Sequence, residues 1–307
     1  MRADPDRRRR VIEQLRVVPG TKANLAGRDP AWTGGEEFDA LSAKELKTTA
    51  RKLLADGIEE LADAQELLWA SDTHSLLVVF QAIDAAGKDS TIKHVMSGVN
   101  PQGVQVVSFR RPSAEELDHN YLWRISNALP ERGRIGIFNR SHYEEVIALQ
   151  VHPEWLDQRQ LDGHAPDDAF WSARYEDLNA FERHLSRNGT KIIKFFLHVS
   201  KAEQKRRFMA RLERPEKLWK FNADDVAERM HWDEYMHAFE DAITATSTEW
   251  APWYVLPAVH KPVMQAMTAA IVIDAIHSLD LQWPTVSDDD RAANAVARGQ
   301  LEAEPDD

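Results

Sequence analysis

Short apolar runs recur along the chain, separated by longer amphipathic stretches. Each run is apolar on successive residues rather than on alternate ones, which is typical of strands buried on both faces of a parallel sheet. The five runs cover 76–81, 104–109, 135–139, 192–199 and 253–257. The helical candidates between them cover 89–98, 113–128, 167–187 and 263–279. This alternation predicts an α/β fold, a three-layer α/β/α domain with a five-stranded parallel sheet and right-handed crossovers.

Two further segments have helical patterns. Leucines recur at a helical period within 44–70 and predict a long amphipathic helix before the first strand. The segment 200–248 is helical and dense in charge, as in the lids that exclude water in phosphoryl-transfer enzymes. The alternative is an exposed pair of helices with ion pairs between successive turns. The chain is therefore divided into an N-terminal arm (1–43), one domain including the lid (44–284) and an acidic tail (285–307) that is predicted to be disordered.

The overall charge limits which molecules the chain can bind. The formal net charge is −12 over 307 residues. An acidic chain argues against a general nucleic-acid-binding surface, so a polyanionic substrate must meet a local basic lining. The segment 201–220 offers one, with eight lysines and arginines against three glutamates.

Composition also bears on the compartment. The chain has no cysteine, which excludes disulfides, thiolate metal sites and thiol catalysis and fits a reducing cytoplasm. No run of about 18 apolar residues occurs, so no membrane span is expected. The basic cluster at 6–10 lacks the apolar stretch that follows in a secretory signal and is predicted to be a mobile arm. We therefore expect a cytoplasmic protein.

The first strand runs directly into a turn and a helix start, with Gly87 and Lys88 at the junction. This is the layout of a phosphate-binding loop, in which the backbone N–H groups of 85–89 and the lysine ammonium contact phosphoryl oxygens. The alternative is a strand-to-helix turn whose lysine is only solvated. The preceding strand and the following helix favour the phosphate loop, because they supply the context that the motif requires.

The loop departs from the usual phosphate-binding pattern at two positions. Ala82 stands where the first glycine belongs, and Asp89 replaces the metal-binding hydroxyl. Ser90 or Thr91 could supply a hydroxyl nearby. Asp84 is the better magnesium ligand, since hard cations prefer carboxylate oxygen.

A second polar cluster follows the third strand. It contains Asn139, Arg140, Glu144 and Glu145, at the place where a nucleotide kinase carries a magnesium-linked acid and a phosphate-binding arginine. Asn139 cannot ionise, so any negative charge must come from one of the two glutamates. The alternative is that Arg140 and Glu144 form a surface ion pair.

These polar groups follow the carboxyl ends of three strands. Ligands of an open parallel sheet collect outside that edge. We therefore expect 84–88, 110–112 and 139–145 to converge, and Arg110 to reach the same site.

Histidines and aromatic residues raise two alternatives. A histidine nucleophile needs an orienting partner, and no spacing identifies one, so the histidines, His142 included, are predicted to be capping, core or surface residues. Trp232, Tyr235 and Phe239 recur at helical spacing and predict packing within the lid. Base stacking by Trp219 is a minority alternative.

Longer motifs extend through most of the chain. They are DAAGK at 84–88, IKHVMSGVNPQG at 92–103, PSAEELDH at 112–119, LPERGRIGIFNRS at 129–141 and VHPE at 151–154. With Arg206-Arg207, LWK at 218–220 and the strand at 253–257, they closely resemble polyphosphate kinase family 2 over roughly residues 15–284. The run FNRSHYEE at 138–145 and the pair Gln81-Ala82 resemble the third class of that family.

The resemblance implies a P-loop kinase-like fold and a phosphotransferase that requires Mg²⁺, for which Mn²⁺ could substitute. It implies transfer of the terminal phosphoryl group of inorganic polyphosphate to nucleoside mono- and diphosphates, taking AMP through ADP to ATP without a phosphoenzyme. A homo-oligomer, dimer or tetramer, is expected. Neither nucleic acid nor a membrane is expected as a partner.

The resemblance also assigns roles to residues. Asp84, Lys88 and Arg140 become the catalytic residues, and Asp84 and Glu144 the metal ligands. The residues expected to bind phosphate or nucleotide are Ala85, Ala86, Gly87, Asp89, Ser90, Thr91, Arg110, Asn139 and Glu144. Those expected to line the polyphosphate path or to close the lid are Lys93, Arg206, Arg207 and Arg211.

One position departs from the family pattern. Val259 stands where an aspartate is expected, which removes a carboxylate partner for the metal or for a lid arginine. Two alternative functions stay open at this point: an ATP-dependent nucleoside or nucleotide kinase, and a non-catalytic sensor of phosphate chains or nucleotides.

Overall fold

Five parallel strands form one sheet in the computed structural model, which describes residues 5–159 and 166–305. Along the sheet the order is β2-β3-β1-β4-β5. The strands are β1 (Ser75–Gln81), β2 (Val104–Ser108), β3 (Ile135–Asn139), β4 (Thr190–His198) and β5 (Trp253–Pro257). The central strand β1 is buried over its whole length, because it pairs with β3 on one side and β4 on the other. The predicted five-stranded α/β fold is confirmed.

Helices cover both faces of the sheet. They are α1 (Pro5–Leu15), α2 (Glu36–Asp39), α3 (Ala43–Ser71), α4 (Lys88–Val95), α5 (Ala114–Asp118), α6 (Trp123–Ser126), α7 (Ala148–Val151), α8 (Asp168–Arg187), α9 (Lys201–Leu212), α10 (Asp224–Glu228), α11 (Trp232–Thr246), α12 (Lys261–His277) and α13 (Asp288–Glu302). The helices α1, α3 and α4 pack against α12, while α7 and α8 pack against α11. None of the described helices is both long and apolar enough to cross a membrane.

Two predicted elements differ from the structure. The strand β2 lies at the sheet edge and pairs only with β3, so it is not buried on both faces, and Val106 is 49% exposed. The helix predicted over 113–128 divides into α5 and α6. Between them the Asn120 side chain accepts a hydrogen bond from the backbone N–H of Leu122, which stabilises a turn instead of a continuous helix.

The chain termini also differ from the predictions. The basic cluster at 6–10 is not a mobile arm: it belongs to α1, whose Ile12 and Leu15 are buried. The Arg8 guanidinium donates to Glu60 Oε1 (2.8 Å) and to the Ala270 carbonyl (3.0 Å). The acidic tail forms the exposed helix α13 rather than a disordered segment, because Ser287 caps it and acidic residues fill its first turn.

The segment 200–248 has two buried ends and an exposed middle. In α9 the residues Gln204, Arg207 and Phe208 are buried, and in α11 Phe239 packs on Phe196 of β4 with ring centroids 4.4 Å apart. Trp232 and Tyr235 are partly buried against the same core, so this face packs on the domain rather than between lid helices as predicted. The exposed part is therefore the short stretch between α9 and α11, which includes α10.

A buried ion pair connects four segments of the chain. The ammonium of Lys194 (β4) donates to Glu182 Oε2 of α8 (2.6 Å), to the Tyr143 hydroxyl (2.7 Å) and to the Thr246 carbonyl of α11 (2.8 Å). Burial lowers the pKa of Lys194 to about 8, and the Glu182 charge opposes that change. Since all three ammonium protons have acceptors, the pair holds the segment around Tyr143 in place.

Removing one partner of this pair should destabilise the fold strongly. We expect Lys194→Met to lower the free energy of unfolding by about 3–5 kcal/mol, because Glu182 is left charged and buried. Unfolding in guanidinium chloride measures this free energy for the wild type, for Lys194→Met, for Glu182→Gln and for the double variant. The double variant should lose less than the sum of the singles. A loss below about 1 kcal/mol in Lys194→Met would contradict the interpretation.

Candidate active site

A long cleft lies at the carboxyl ends of β1, β2 and β3. Its volume is ≈ 920 Å³. The phosphate loop, the end of β2 and the end of β3 all contribute, so the structure brings the predicted polar groups together. The described lining residues are Asp84–Ser90, Ile92, Lys93, Val106, Ser108–Arg110, Asn139, Arg140, Arg206, Arg207, Ala210, Arg211, Arg214, Trp219, Asp225 and Lys261.

The phosphate loop joins β1 to α4 through a tight turn. Gly87 precedes α4 with φ 115°, in the left-handed region that favours glycine, and no side chain caps the helix there. The first backbone N–H groups of α4 are thus available to an anion. The ammonium of Lys88 lies under the loop and donates to the Ala82 carbonyl (2.7 Å). Burial, followed by the nearby Arg140 charge, lowers the pKa of Lys88 to about 8.

Three of the residues predicted to bind phosphate or nucleotide form hydrogen bonds within the protein. Asp89 Oδ1 accepts a hydrogen bond from the Asn139 side chain (2.8 Å), which links the loop to the end of β3. Thr91 is fully buried and its hydroxyl donates to the Gly87 carbonyl, so it is not available to a ligand in this structure. Ser90 does line the cleft.

One guanidinium joins the two carboxylates that were predicted to bind metal. Arg140 Nη2 is 2.7 Å from Asp84 Oδ1, and its Nη1 is 3.3 Å from Glu144 Oε2. The charges of Glu144 and Asp84 raise the pKa of Arg140 against the effect of burial. The Arg140–Glu144 ion pair, which was the alternative interpretation, is therefore present. It is not an isolated surface pair, because Arg140 lines the cleft and also pairs with Asp84.

The backbone fixes this arrangement. Arg140 has φ 61° and donates its backbone N–H to the Phe80 carbonyl of β1 (3.0 Å). A non-glycine residue in the left-handed region is strained, and such strain clusters at functional sites. The turn after β3 thereby places the Arg140 side chain over the loop that follows β1.

The donor set fits a magnesium ion that shares its coordination with substrate. Among the described residues no group of three or more histidine, cysteine or acidic side chains could hold a metal. Mg²⁺ characteristically uses one or two carboxylates, completed by water and substrate phosphates. Asp84 and Glu144, both beside Arg140, match that requirement, and Mn²⁺ accepts the same ligands.

Glu145, the other acid considered, points away from the cleft. It is 2% exposed and contacts Arg159, Arg174 (3.5 Å) and Arg124 (3.9 Å). Burial raises the pKa of Glu145, while these three arginines act to lower it. His142 is also buried, with Nε2 3.3 Å from Glu182 Oε1, which places it in the core, one of the three positions left open for the histidines.

Arg207 borders the cleft, but its guanidinium is bonded to acceptors within the protein. Its side chain is 6% exposed and donates to the carbonyls of Ala85 (3.1 Å), Ala86, Ala258 and Val259, and to Glu203. It therefore holds the phosphate loop against the loop that follows β5. That Arg207 lines the polyphosphate path or closes the lid stays a prediction.

The remaining predicted cations do reach the cleft. Arg206 is 69% exposed and pairs with Glu203, and Arg211 lies 3.6 Å from Asp225. Lys93 and Arg110 line the same cleft on the side of β2.

Sequence reasoning missed two residues that position the site. Gln204 donates to the Asp84 carbonyl (2.9 Å), and Asp225 pairs with a lid arginine inside the cleft. Neither belongs to a motif. The position of Gln204, one helical turn before Phe208 on the buried face of α9, was the available indication.

Comparisons with known proteins identify the family of this chain. The family described as Polyphosphate kinase 2 (PPK2) matches residues 44–282. A relative from Rhodopseudomonas palustris, an ADP-polyphosphate phosphotransferase, is 46% identical over 94% of this chain and 98% of its own. An AMP/ADP-polyphosphate phosphotransferase from Meiothermus ruber is 42% identical over 89% and 96%. The chain belongs to the polyphosphate kinase 2 family.

A solved structure extends the agreement to the fold. The crystal structure of polyphosphate kinase 2 from Arthrobacter aurescens superposes with a TM-score of 0.83. It is 38% identical, and the match covers 94% of this chain and 96% of that one. This chain therefore has the P-loop kinase-like fold of that polyphosphate kinase 2 structure.

The lowered pKa of Lys88 predicts a basic limb in the pH profile. A lysine is cationic below its pKa and neutral above it, so with a pKa of about 8 the charge is lost as the pH rises through that value. We expect kcat/KM for the phosphoryl donor, which reports the free enzyme, to fall above pH 8 or so. An unperturbed lysine, with a pKa near 10.4, would keep a plateau to about pH 10.

A matched variant separates the lysine from other titrating groups. In Lys88→Arg the side chain stays charged throughout this range. Its residual kcat/KM should lack the basic limb. A wild-type plateau that continues to about pH 10, or an unchanged limb in Lys88→Arg, would contradict the assignment.

Proposed function

We propose that this chain is a polyphosphate-dependent nucleotide kinase, which transfers the terminal phosphoryl group of inorganic polyphosphate to nucleoside mono- and diphosphates. The observation that carries the proposal is the Arg140 guanidinium bridging Asp84 and Glu144 above the Lys88 loop. The relatives named ADP-polyphosphate and AMP/ADP-polyphosphate phosphotransferase support the donor and the acceptors.

The geometry suits direct, in-line transfer. Phosphoryl transfer requires positioning and charge neutralisation rather than covalent chemistry by the protein. The N–H groups at the start of α4 and the Lys88 ammonium would bind oxygens of the reacting phosphates. The Arg140 guanidinium would neutralise the charge that spreads over the transferring group.

The carboxylates have a complementary role. Asp84 and Glu144 would hold Mg²⁺, which when bound would neutralise charge on the phosphate oxygens. Asp84 would also orient the oxygen of the acceptor phosphate. Asn139, held by Asp89 at 2.8 Å, and Glu144 stand at the positions that would shape the choice between AMP and ADP.

A covalent phosphohistidine step has no support in this site. No histidine is among the described residues that line the cleft. His142 is buried against Glu182 and lacks access to a substrate. We therefore propose transfer without a phosphoenzyme. The homo-oligomeric state and the cytoplasmic location stay predictions.

Turnover with AMP and with ADP, compared side by side, tests the proposal. The purified chain with Mg²⁺ and long-chain polyphosphate should form ADP and ATP. Replacing polyphosphate by ATP tests the alternative kinase, for which polyphosphate would neither react nor compete. Absence of ADP and ATP formation from polyphosphate would refute the proposed function. Saturable binding without turnover would favour a sensor.

Substitutions test the assigned roles. Lys88→Ala and Asp84→Asn should each lower kcat by about 10²-fold or more, because each removes a group that acts on transferring charge. Lys52→Ala, which changes an exposed lysine of α3 outside the cleft, serves as the control and should leave kcat near the wild-type value. Near-normal rates in either site variant would remove that residue from the mechanism.

A further inference from the structure

The lid stretch, residues 213–231 between α9 and α11, is anchored near its end by two adjacent residues of opposite charge. Glu228 and Arg229 are both half-buried, whereas the next residue, Met230, is 79% exposed. The two charged side chains contact different parts of the domain. The end of α10 is therefore fixed on two sides.

Glu228 connects the lid stretch to α11 and to the segment that follows α7. Its Oε2 accepts a hydrogen bond from the Tyr235 hydroxyl (2.7 Å) and lies 3.0 Å from His152 Nε2. An ionised carboxylate only accepts, so the tyrosine and the histidine are the donors. The His152 ring also stacks on Trp155, with ring centroids 4.2 Å apart. These contacts hold the end of α10 against the domain.

Arg229 connects the same end of α10 to α9. Its Nη1 donates to the Lys201 carbonyl (2.8 Å) and to Gln204 Oε1 (2.6 Å). From the same amide, Gln204 Nε2 donates to the Asp84 carbonyl (2.9 Å). The orientation of this amide is fixed, because a guanidinium only donates and a carbonyl only accepts. A continuous chain of hydrogen bonds therefore runs from the lid stretch to Asp84, through a glutamine that is 3% exposed.

The backbone at the other end of this chain is strained. Ala85, directly after Asp84, has φ 62°, in the left-handed region that residues other than glycine rarely adopt. Such a conformation persists only where the surrounding contacts impose it. From α9, Gln204 holds the Asp84 carbonyl, and one turn later Arg207 holds the next two carbonyls. The Gln204 hydrogen bond thus fixes the peptide that adjoins the Asp84 side chain.

We propose that Gln204 and Arg229 are positioning residues of the transfer reaction, which couple the placement of the lid stretch to the placement of Asp84. The proposal rests on the proposed function, in which Asp84 holds the metal and orients the acceptor. The lid stretch also carries Asp225, which lies 3.6 Å from Arg211 in the cleft. Through this coupling, a lid stretch in place over the cleft also aligns the carboxylate at the reacting centre.

Two variants break the chain of hydrogen bonds at different points. Gln204→Met keeps an unbranched side chain of similar length but removes the donor to the Asp84 carbonyl, and Arg229→Met removes the donor from the lid stretch. We expect each to lower kcat by about tenfold and to leave the KM values for polyphosphate and nucleotide within about twofold, because a displaced Asp84 affects the transition state more than binding. Met230→Ala, at the exposed neighbouring position, is the matched control.

The double variant tests whether the two residues act as one unit. If Arg229 acts on Asp84 only through Gln204, then Gln204→Met/Arg229→Met should have a kcat close to that of the slower single variant. A fall of about a hundredfold, the product of two independent effects, would contradict the coupling. Arg229→Lys, whose ammonium can still donate to Gln204, should recover part of the kcat that Arg229→Met loses.

The backbone amide of Ala85 gives a readout that does not need turnover. Its N–H belongs to the same peptide group as the Asp84 carbonyl, which accepts from Gln204. Selective labelling with 13C-aspartate and 15N-alanine restricts the NMR spectrum to Asp-Ala pairs, and Ala85→Gly assigns the resonance. We expect this resonance to shift in Arg229→Met as it does in Gln204→Met, and to keep its wild-type position in Met230→Ala.

The outcomes separate the coupling from the function. If the wild type transfers phosphate but Arg229→Met keeps the wild-type kcat and Ala85 resonance, the coupling is wrong and the function stands. Effects in Gln204→Met alone would also overturn the coupling, because the lid stretch would then play no part. If the wild type shows no transfer from polyphosphate yet the Ala85 resonance shifts in Arg229→Met, the function is wrong and the coupling between the lid stretch and the phosphate loop stands.

Discussion

The bridge from Arg140 to Asp84 and Glu144 is the interaction on which the site depends. The two carboxylates come from loops after neighbouring strands, and without a cation between them their charges would repel. Parallel pairing of β1 with β3 places both loops at one edge, and the left-handed backbone of Arg140 aims its side chain across them. The same set of charges, two acids and a base beside Lys88, is what a magnesium-bound phosphate chain would complete.

Buried ionic contacts behind the cleft hold this bridge in place. The Lys194–Glu182 pair fixes Tyr143, and three arginines surround Glu145, so the segment that carries Arg140 and Glu144 is anchored from below. Adjacent glutamates consequently have different partners: Glu144 pairs with Arg140, which lines the cleft, and Glu145 pairs with three arginines in the core. Arg207 holds the phosphate loop in place by donating hydrogen bonds to the carbonyls of Ala85 and Ala86. Rigid support of this kind keeps charged groups aligned for transfer without reorganisation.

Much of the fold could be predicted because local pattern decides it. The continuous apolar runs predicted all five strands. Such a run does not indicate the order of strands in the sheet, so the exposed edge position of β2 was missed. The phosphate loop and the Asn139–Glu145 cluster were found because their residues are contiguous. Arg206 and Arg207 were assigned one role, although successive residues on a helix point in directions about 100° apart, and only Arg207 is buried.

An acidic protein that binds a polyanion must rely on local charge. Salt screens exposed charges beyond about 8 Å at physiological ionic strength, so the acidic surface elsewhere opposes binding only weakly. Within the cleft the balance is reversed, since arginines and lysines outnumber the acids that are not already paired. At the centre, Asp84 and Glu144 offset part of that positive charge, and a bound metal would restore it.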